Sequence, residues 1–186
     1  MGVMNRLSKY IVAAILPLVM FSLPSLAQDS ALDPLFEQLK EAEPREANRL
    51  AKEIELAWTR SGSATADLLL KRGRDALEAG DTKAAIEHFT ALTDHAPDFA
   101  EGFHMRAMAY ADAEKFGPAL ADIERALTLN PRHYNAIASL GGILYHVENY
   151  EKAKQAFDLV LALHPHHQDV EQVLPMVERE IGGRDL

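Results

Sequence analysis

Apolar side chains return every three or four positions along most of this chain, as at Leu120, Ile123 and Leu127 and again at Phe157, Val160 and Leu161. That is the spacing of one buried helix face. Turn residues separate the helical blocks at Gly80-Asp81, Gly117-Pro118 and Asn149. Gly suits the residue after a helix end, Pro a first turn, and Asp or Asn a helix N-cap. The pattern itself recurs. Pro97, Pro131 and Pro165 stand 34 residues apart, as do Ala85, Ala119 and Ala153, then Phe89, Ile123 and Phe157, and then Gly73, Ala107 and Gly141. Each period holds two helices, so the chain should build stacked hairpins rather than one globule.

Two helices of a hairpin can approach to about 8–10 Å only where the touching side chains are small. Residues 73, 107 and 141 on the first helices and 85, 119 and 153 on the second are all Gly or Ala, so these slots mark the predicted crossings. Asp98 and Glu101 have the spacing of a capping box for the helix that follows. Before the repeats, Asp33-Pro34 is expected to open a short helix carrying Leu35, Phe36 and Leu39. Pro44 is expected to open a second, with Leu50, Ile54, Ala57 and Trp58. This pair reads as a capping hairpin, followed by a Ser61-Gly62-Ser63 linker. After the repeats, Gln168 to Ile181 places Val170, Val173, Leu174, Val177 and Ile181 on one face, with Pro175 as a local bend. It reads as a helix shielding the last unit, and residues 182–186 are expected to fray.

The repeat resembles the tetratricopeptide repeat. Unit three carries the family pattern best, with Ile137, Leu140-Gly141, Leu144, Ala153, Phe157 and Pro165. Unit one has Leu69, Arg72-Gly73, Ala76, Ala85, Phe89 and Pro97. Unit two has Phe103, Arg106-Ala107, Tyr110, Ala119, Ile123 and Pro131. Arg72 and Arg106 stand where the pattern has Leu. The resemblance implies an all-α, right-handed α-solenoid of three hairpins (66–99, 100–133 and 134–167, within 64–167), with an N-terminal helical cap and linker over 28–63 and a C-terminal capping helix and tail over 168–186. It also implies a concave face lined by the first helix of each unit. By register that face takes Leu70, Lys71, Arg74 and Leu77 from unit one, and His104, Met105, Met108 and Asp112 from unit two. Unit three supplies Asn135, Ser139, Gly142, Tyr145 and His146. Shallow apolar contact with polar edges would suit a peptide or helix, Met giving adaptable packing and Tyr an anchor. The family's clamp for a terminal carboxylate uses Lys and Asn at defined groove slots, near which this chain offers Lys71 and Arg74.

Composition narrows the function. The chain has 186 residues, 48% hydrophobic, with 19 basic against 28 acidic side chains and a formal charge of −9. A surface so acidic is unsuited to a nucleic-acid backbone, which is held by basic contacts. Cysteine is absent, which removes disulfides, thiolate metal sites and a lipoprotein anchor. Residues 1–27 read as a signal peptide: Arg6 and Lys9, an apolar run from Tyr10 to Leu23, then Ser25 and Ala27 as the small residues before cleavage at Ala27–Gln28. The run is shorter than the ~20 residues a membrane span needs, so contact with a membrane would be transient. Cleavage would remove two basic residues and no acidic one, leaving −11.

Catalytic motifs are not found: no G-x-S-x-G, no phosphate-cradling G-x-x-x-x-G-K and no H-E-x-x-H. His164, His166 and His167 cluster around Pro165, and imidazoles can ligate zinc or nickel. Their place in the closing linker reads instead as a solvated loop, with no metal and no cofactor. The sequence thus points to a non-catalytic adaptor, periplasmic or secreted, that binds a protein or peptide on its concave face. The alternatives are a homo-oligomeric component of an envelope complex and, behind it, a metal-binding carrier.

Overall fold

The computed structural model describes residues 24–184. Among them the chain forms α-helices and no strand: α1 (Pro24–Glu41), α2 (Pro44–Trp58), α3 (Ala64–Glu78), α4 (Thr82–His95), α5 (Ala100–Asp112), α6 (Phe116–Leu129), α7 (Tyr134–His146), α8 (Tyr150–Leu163) and α9 (Gln168–Arg184). The export segment lies outside the described residues except for its last four, Pro24 to Ala27, which begin α1. No helix among the described residues is long and apolar enough to cross a membrane.

The 34-residue period becomes the hairpins α3–α4, α5–α6 and α7–α8. All six small-residue slots are buried. A Cβ on Gly73 would overlap the Phe89 ring, and one on Gly141 the Phe157 ring, so each glycine lets an aromatic side chain of the second helix lie directly on the first. Burying such a ring contributes about 1.5–3 kcal/mol. The turn inside each hairpin uses a left-handed residue at the same register: Gly80 at φ 74°, Glu114 at φ 56° and Glu148 at φ 60°. Only the first has the residue that adopts this conformation without steric cost. Asp81 caps α4 by accepting from the Ala84 N–H at 3.0 Å. Asn149 occupies the N-cap of α8 but makes no side-chain bond there.

Arg106, standing in a Leu slot, keeps its place by pairing. It donates two hydrogen bonds of 2.7 Å to Asp122 on α6 and a third to the Thr93 hydroxyl on α4, tying units one and two together. The Asp98–Glu101 capping box does not form. Phe99 is the N-cap of α5, with no side-chain bond. Asp98 lies exposed near Arg125, and Glu101 turns inward to groups that satisfy it better.

Two features of the chain ends differ from expectation. Pro34 does not open a helix but lies inside α1, while Asp33 reaches Arg132 at 2.7 Å. Nor is the α1–α2 hairpin built into the core of unit one. Its buried face, including Phe36, Leu39, Leu50, Ile54 and Trp58, joins one core with Tyr134, Ile137, Phe157 and Val160 of unit three and Val170 and Val177 of α9. The core of α3–α4 is separate. Pro44 does open α2, and α9 continues through Gly182 and Gly183 to Arg184. The hairpin therefore folds back across the hollow of the solenoid, with Trp58 stacked on His133 at 4.3 Å between ring centroids.

Candidate functional site

The fold-back turns the concave face into a cavity of about 700 Å³. Its floor comes from α5 and α7, with Met105, Met108, Ala138 and Gly142. One side is α2, with Asn48, Lys52 and Glu55, and the far end is the start of α9. Gly142 is exposed, and a Cβ placed there would meet nothing within 4 Å.

Beside the floor lies a buried polar node centred on Glu101, 7% exposed. Its carboxylate pairs with Arg74 from α3 and faces His104 Nδ1 at 3.3 Å and His133 Nε2 at 2.9 Å. His133 Nδ1 accepts from the Ala136 N–H at 3.3 Å, capping α7. That assigns the ring proton to Nε2, which donates to Glu101. His104 Nε2 lies 3.2 Å from the Ser139 hydroxyl. Burial works against the Glu101 charge, but hydrogen bonds from His104 and His133 outweigh it and hold the carboxyl below the usual glutamate range. Burial likewise lowers His133, more than its bond to Glu101 raises it.

The candidate ligand atoms of Glu101, His104 and His133 all lie within 4.8 Å of one another, close to the spacing around a small metal ion. The hydrogen bonds argue against that use. His133 Nε2 carries the proton that a metal would have to displace, and the Arg74 cation already sits on the carboxylate. The trio, with Arg74, forms a charge-compensated junction between units one, two and three.

A second chain of bonds repeats the first one unit later. His167, the residue 34 after His133, places Nε2 3.2 Å from Asn135 Oδ1, and Asn135 is 34 after Glu101. Asn135 Nδ2 donates at 3.0 Å to Glu55 on α2, which also accepts from the Tyr134 hydroxyl at 3.3 Å. Burial pushes the Tyr134 phenol up, with the Glu55 charge acting in the same direction, so it remains a donor. The expectation of a solvated His164–His167 loop is corrected: His164 is 4% and His167 9% exposed, because α9 and Tyr134 close over them, the rings meeting Tyr134 edge-on. His166 is half-buried near Glu171. Burial lowers His164 to about 4 and also lowers His167, so both rings are neutral at pH 7.

Of the concave-face residues expected from the register, the structure brings Arg74, His104, Met105, Met108, Asn135, Ser139 and Gly142 to the cavity. Leu70 does not reach it. At 3% exposure it is a core residue between α3 and α4, and Leu77 packs half-buried against the same core. Lys71 points to solvent and pairs with Asp75 at 2.6 Å. Asp112 is exposed away from the lining. Tyr145 packs 5.5 Å from Tyr150, and His146 lies 4.8 Å from the Phe116 ring. The register that finds Asn135 also contains Glu101. Lys52 and Glu55 carried no such signal, because the fold-back that brings them in is not periodic.

Stacked helical hairpins around a hollow define a helical-repeat solenoid. Comparison with known sequences gives the family: residues 70–102 and 106–178 match family models described as tetratricopeptide repeat. The chain is 31% identical over 153 residues to a TPR repeat-containing protein of Rhizobium etli, covering 82% of this chain and 75% of that one. It belongs to the tetratricopeptide repeat family. Among solved structures, the first TPR of Spaghetti (RPAP3) bound to the HSP90 peptide SRMEEVD aligns with TM-score 0.62 at 26% identity, over 64% of this chain and 95% of that one. The second TPR domain of human RPAP3, in complex with the HSP70 peptide SGPTIEEVD, aligns with TM-score 0.57 at 27% identity, over 61% and 95%.

Proposed function

We propose that this protein is a non-catalytic, peptide-binding adaptor that works through the cavity between α2 and the first helices of the repeats. One observation carries the reading: an apolar floor of Met105, Met108 and Ala138, open above Gly142 and edged by polar groups of five helices. A site of this size and lining suits a short segment of chain. The two solved relatives, each in complex with a peptide, support the same use of the fold.

Gly142 gives a test that leaves the fold alone. A side chain there would enter open space and, in a helix interior, replacing Gly favours the helix by roughly 0.5–1 kcal/mol. Heptapeptides selected from a random display library on the mature chain should lose at least tenfold in affinity for Gly142→Leu, while its melting temperature stays equal or rises. A library that yields no binder, or binders indifferent to the variant, would count against the adaptor reading.

The site of action we propose is the periplasm or the exterior of the cell, on the strength of the basic, apolar and small-residue pattern over residues 1–27. The protein isolated from its own host should begin at Gln28 by intact mass. A chain retaining residues 1–27 would rule this out.

A further inference from the structure

The adaptor reading leaves the charge of the peptide open, and the wall of the cavity carries an argument about it. The lining holds three carboxylates, Glu55, Glu101 and Asp169, and two permanent cations, Lys52 and Arg74. Arg74 is already committed to Glu101. Glu55 is held only by neutral donors, the Asn135 amide and the Tyr134 hydroxyl. Lys52, one turn earlier on α2, forms no ion pair among the described residues. Asp169 is exposed at the start of α9, and the Glu55 and Asp169 charges both act on His167. The α2 and α9 walls of the cavity therefore carry two carboxylates without an ion-pair partner against one free ammonium, Lys52, which leaves this end net negative.

The same end has an unfilled acceptor. Because the Asn135 amide nitrogen donates to Glu55, its oxygen takes the proton of His167 Nε2. In a neutral ring that leaves Nδ1 as a lone pair, and this buried nitrogen has no partner. His164 Nδ1, beside it, has none either. Both nitrogens are sealed from solvent, so it is the net negative charge of the carboxylates that favours a donor with positive charge.

Resting on the adaptor reading, we infer that the cavity takes a short peptide of neutral to positive charge. An ammonium or guanidinium group lies at the Glu55–Asp169 end, and an apolar side chain lies on the Met105, Met108 and Gly142 floor. An acidic chain end is disfavoured, since its charge would meet Glu55 and Asp169 against the single free ammonium of Lys52, in a partly enclosed space where repulsion is weakly screened. This chain would thus select against tails such as SRMEEVD and SGPTIEEVD, which the two solved relatives carry.

Fluorescence anisotropy on the mature chain, with two labelled heptapeptides of matched apolar content, decides the point. One is SRMEEVD; the other is SRMKKVN with an amidated C-terminus. The lysine peptide should bind at least tenfold tighter at low ionic strength, and the advantage should shrink as salt is added. It should fall to about twofold or less in the double variant Glu55→Gln with Asp169→Asn. Equal or tighter binding of SRMEEVD overturns the charge assignment and leaves the adaptor reading standing. A preference for lysine that survives the double variant overturns the placement at Glu55 and Asp169. Binding of neither peptide at millimolar concentration overturns the inference, and the library selection on Gly142→Leu then judges the adaptor reading separately.

Discussion

Glu101→Ala should destabilise the protein by about 3–5 kcal/mol, the usual cost of removing one partner from a buried ion pair. The carboxylate collects Arg74 from unit one, His104 from its own helix and His133 from the start of unit three. Without it a half-buried guanidinium and two buried imidazoles lose their acceptor at once. Urea denaturation followed by helix signal is the measurement, and a loss under 1 kcal/mol would show that the node is ornamental. Glu101→Gln should cost less, because the amide keeps the volume and one acceptor oxygen.

Acidity should act on the same region. Glu101 is held below its ordinary range, so its contribution is fully present above that range and is lost as pH falls. His133, His164 and His167 are also lowered, and a lowered imidazole prefers to stay neutral when folded. Its contribution is complete above about pH 6.5 and fades as pH falls, for His164 through about 4. The signs agree, so stability of the parent should decline continuously below pH 6.5, and Glu101→Ala should lose the carboxylate's share of that slope.

Trp58→Ala should cost a similar 3–5 kcal/mol, in the range for deleting a large buried aromatic. Trp58 stacks on His133 at 4.3 Å, touches Tyr134 at 4.8 Å and lies 6.2 Å from Phe36. It is thus the place where α2 is fastened to unit three. The lost contacts cannot be repaired locally, because the opposing surfaces belong to two elements joined only through distant chain. Limited trypsin digestion should cut the variant after Arg60, in the connection between α2 and α3, well before the repeats are cleaved. A melting temperature within 2 °C of the parent would contradict this, since about 3 kcal/mol should lower it by roughly 6–12 °C at this chain length.

What could be read from the chain beforehand follows the range of the forces involved. The crossings at residues 73 and 85, 107 and 119, and 141 and 153 lie close in sequence and repeat, so spacing alone locates them. Arg106 was visible as a departure from the pattern, but its partner Asp122 was not. Glu101 satisfied a local capping rule with Asp98 and was misread through it. Its real partners include His133, 32 residues on, brought near only by the stacking of units. The His164–His167 segment looked exposed because its sequence is polar, whereas its burial comes from α9 and from Tyr134. Least legible was the placement of α1 and α2: their amphipathic pattern says that one face is covered, and nothing local says by what.

That placement alters how the array comes apart. A plain solenoid can fray from either extremity, one unit at a time, since each unit leans only on its neighbours. Here residue 58 grips residue 133, so the last unit cannot loosen without releasing the first helices of the chain. Unit three and the α1–α2 hairpin therefore come apart together, whereas α3–α4, whose core is separate, keeps the freedom of an ordinary end unit.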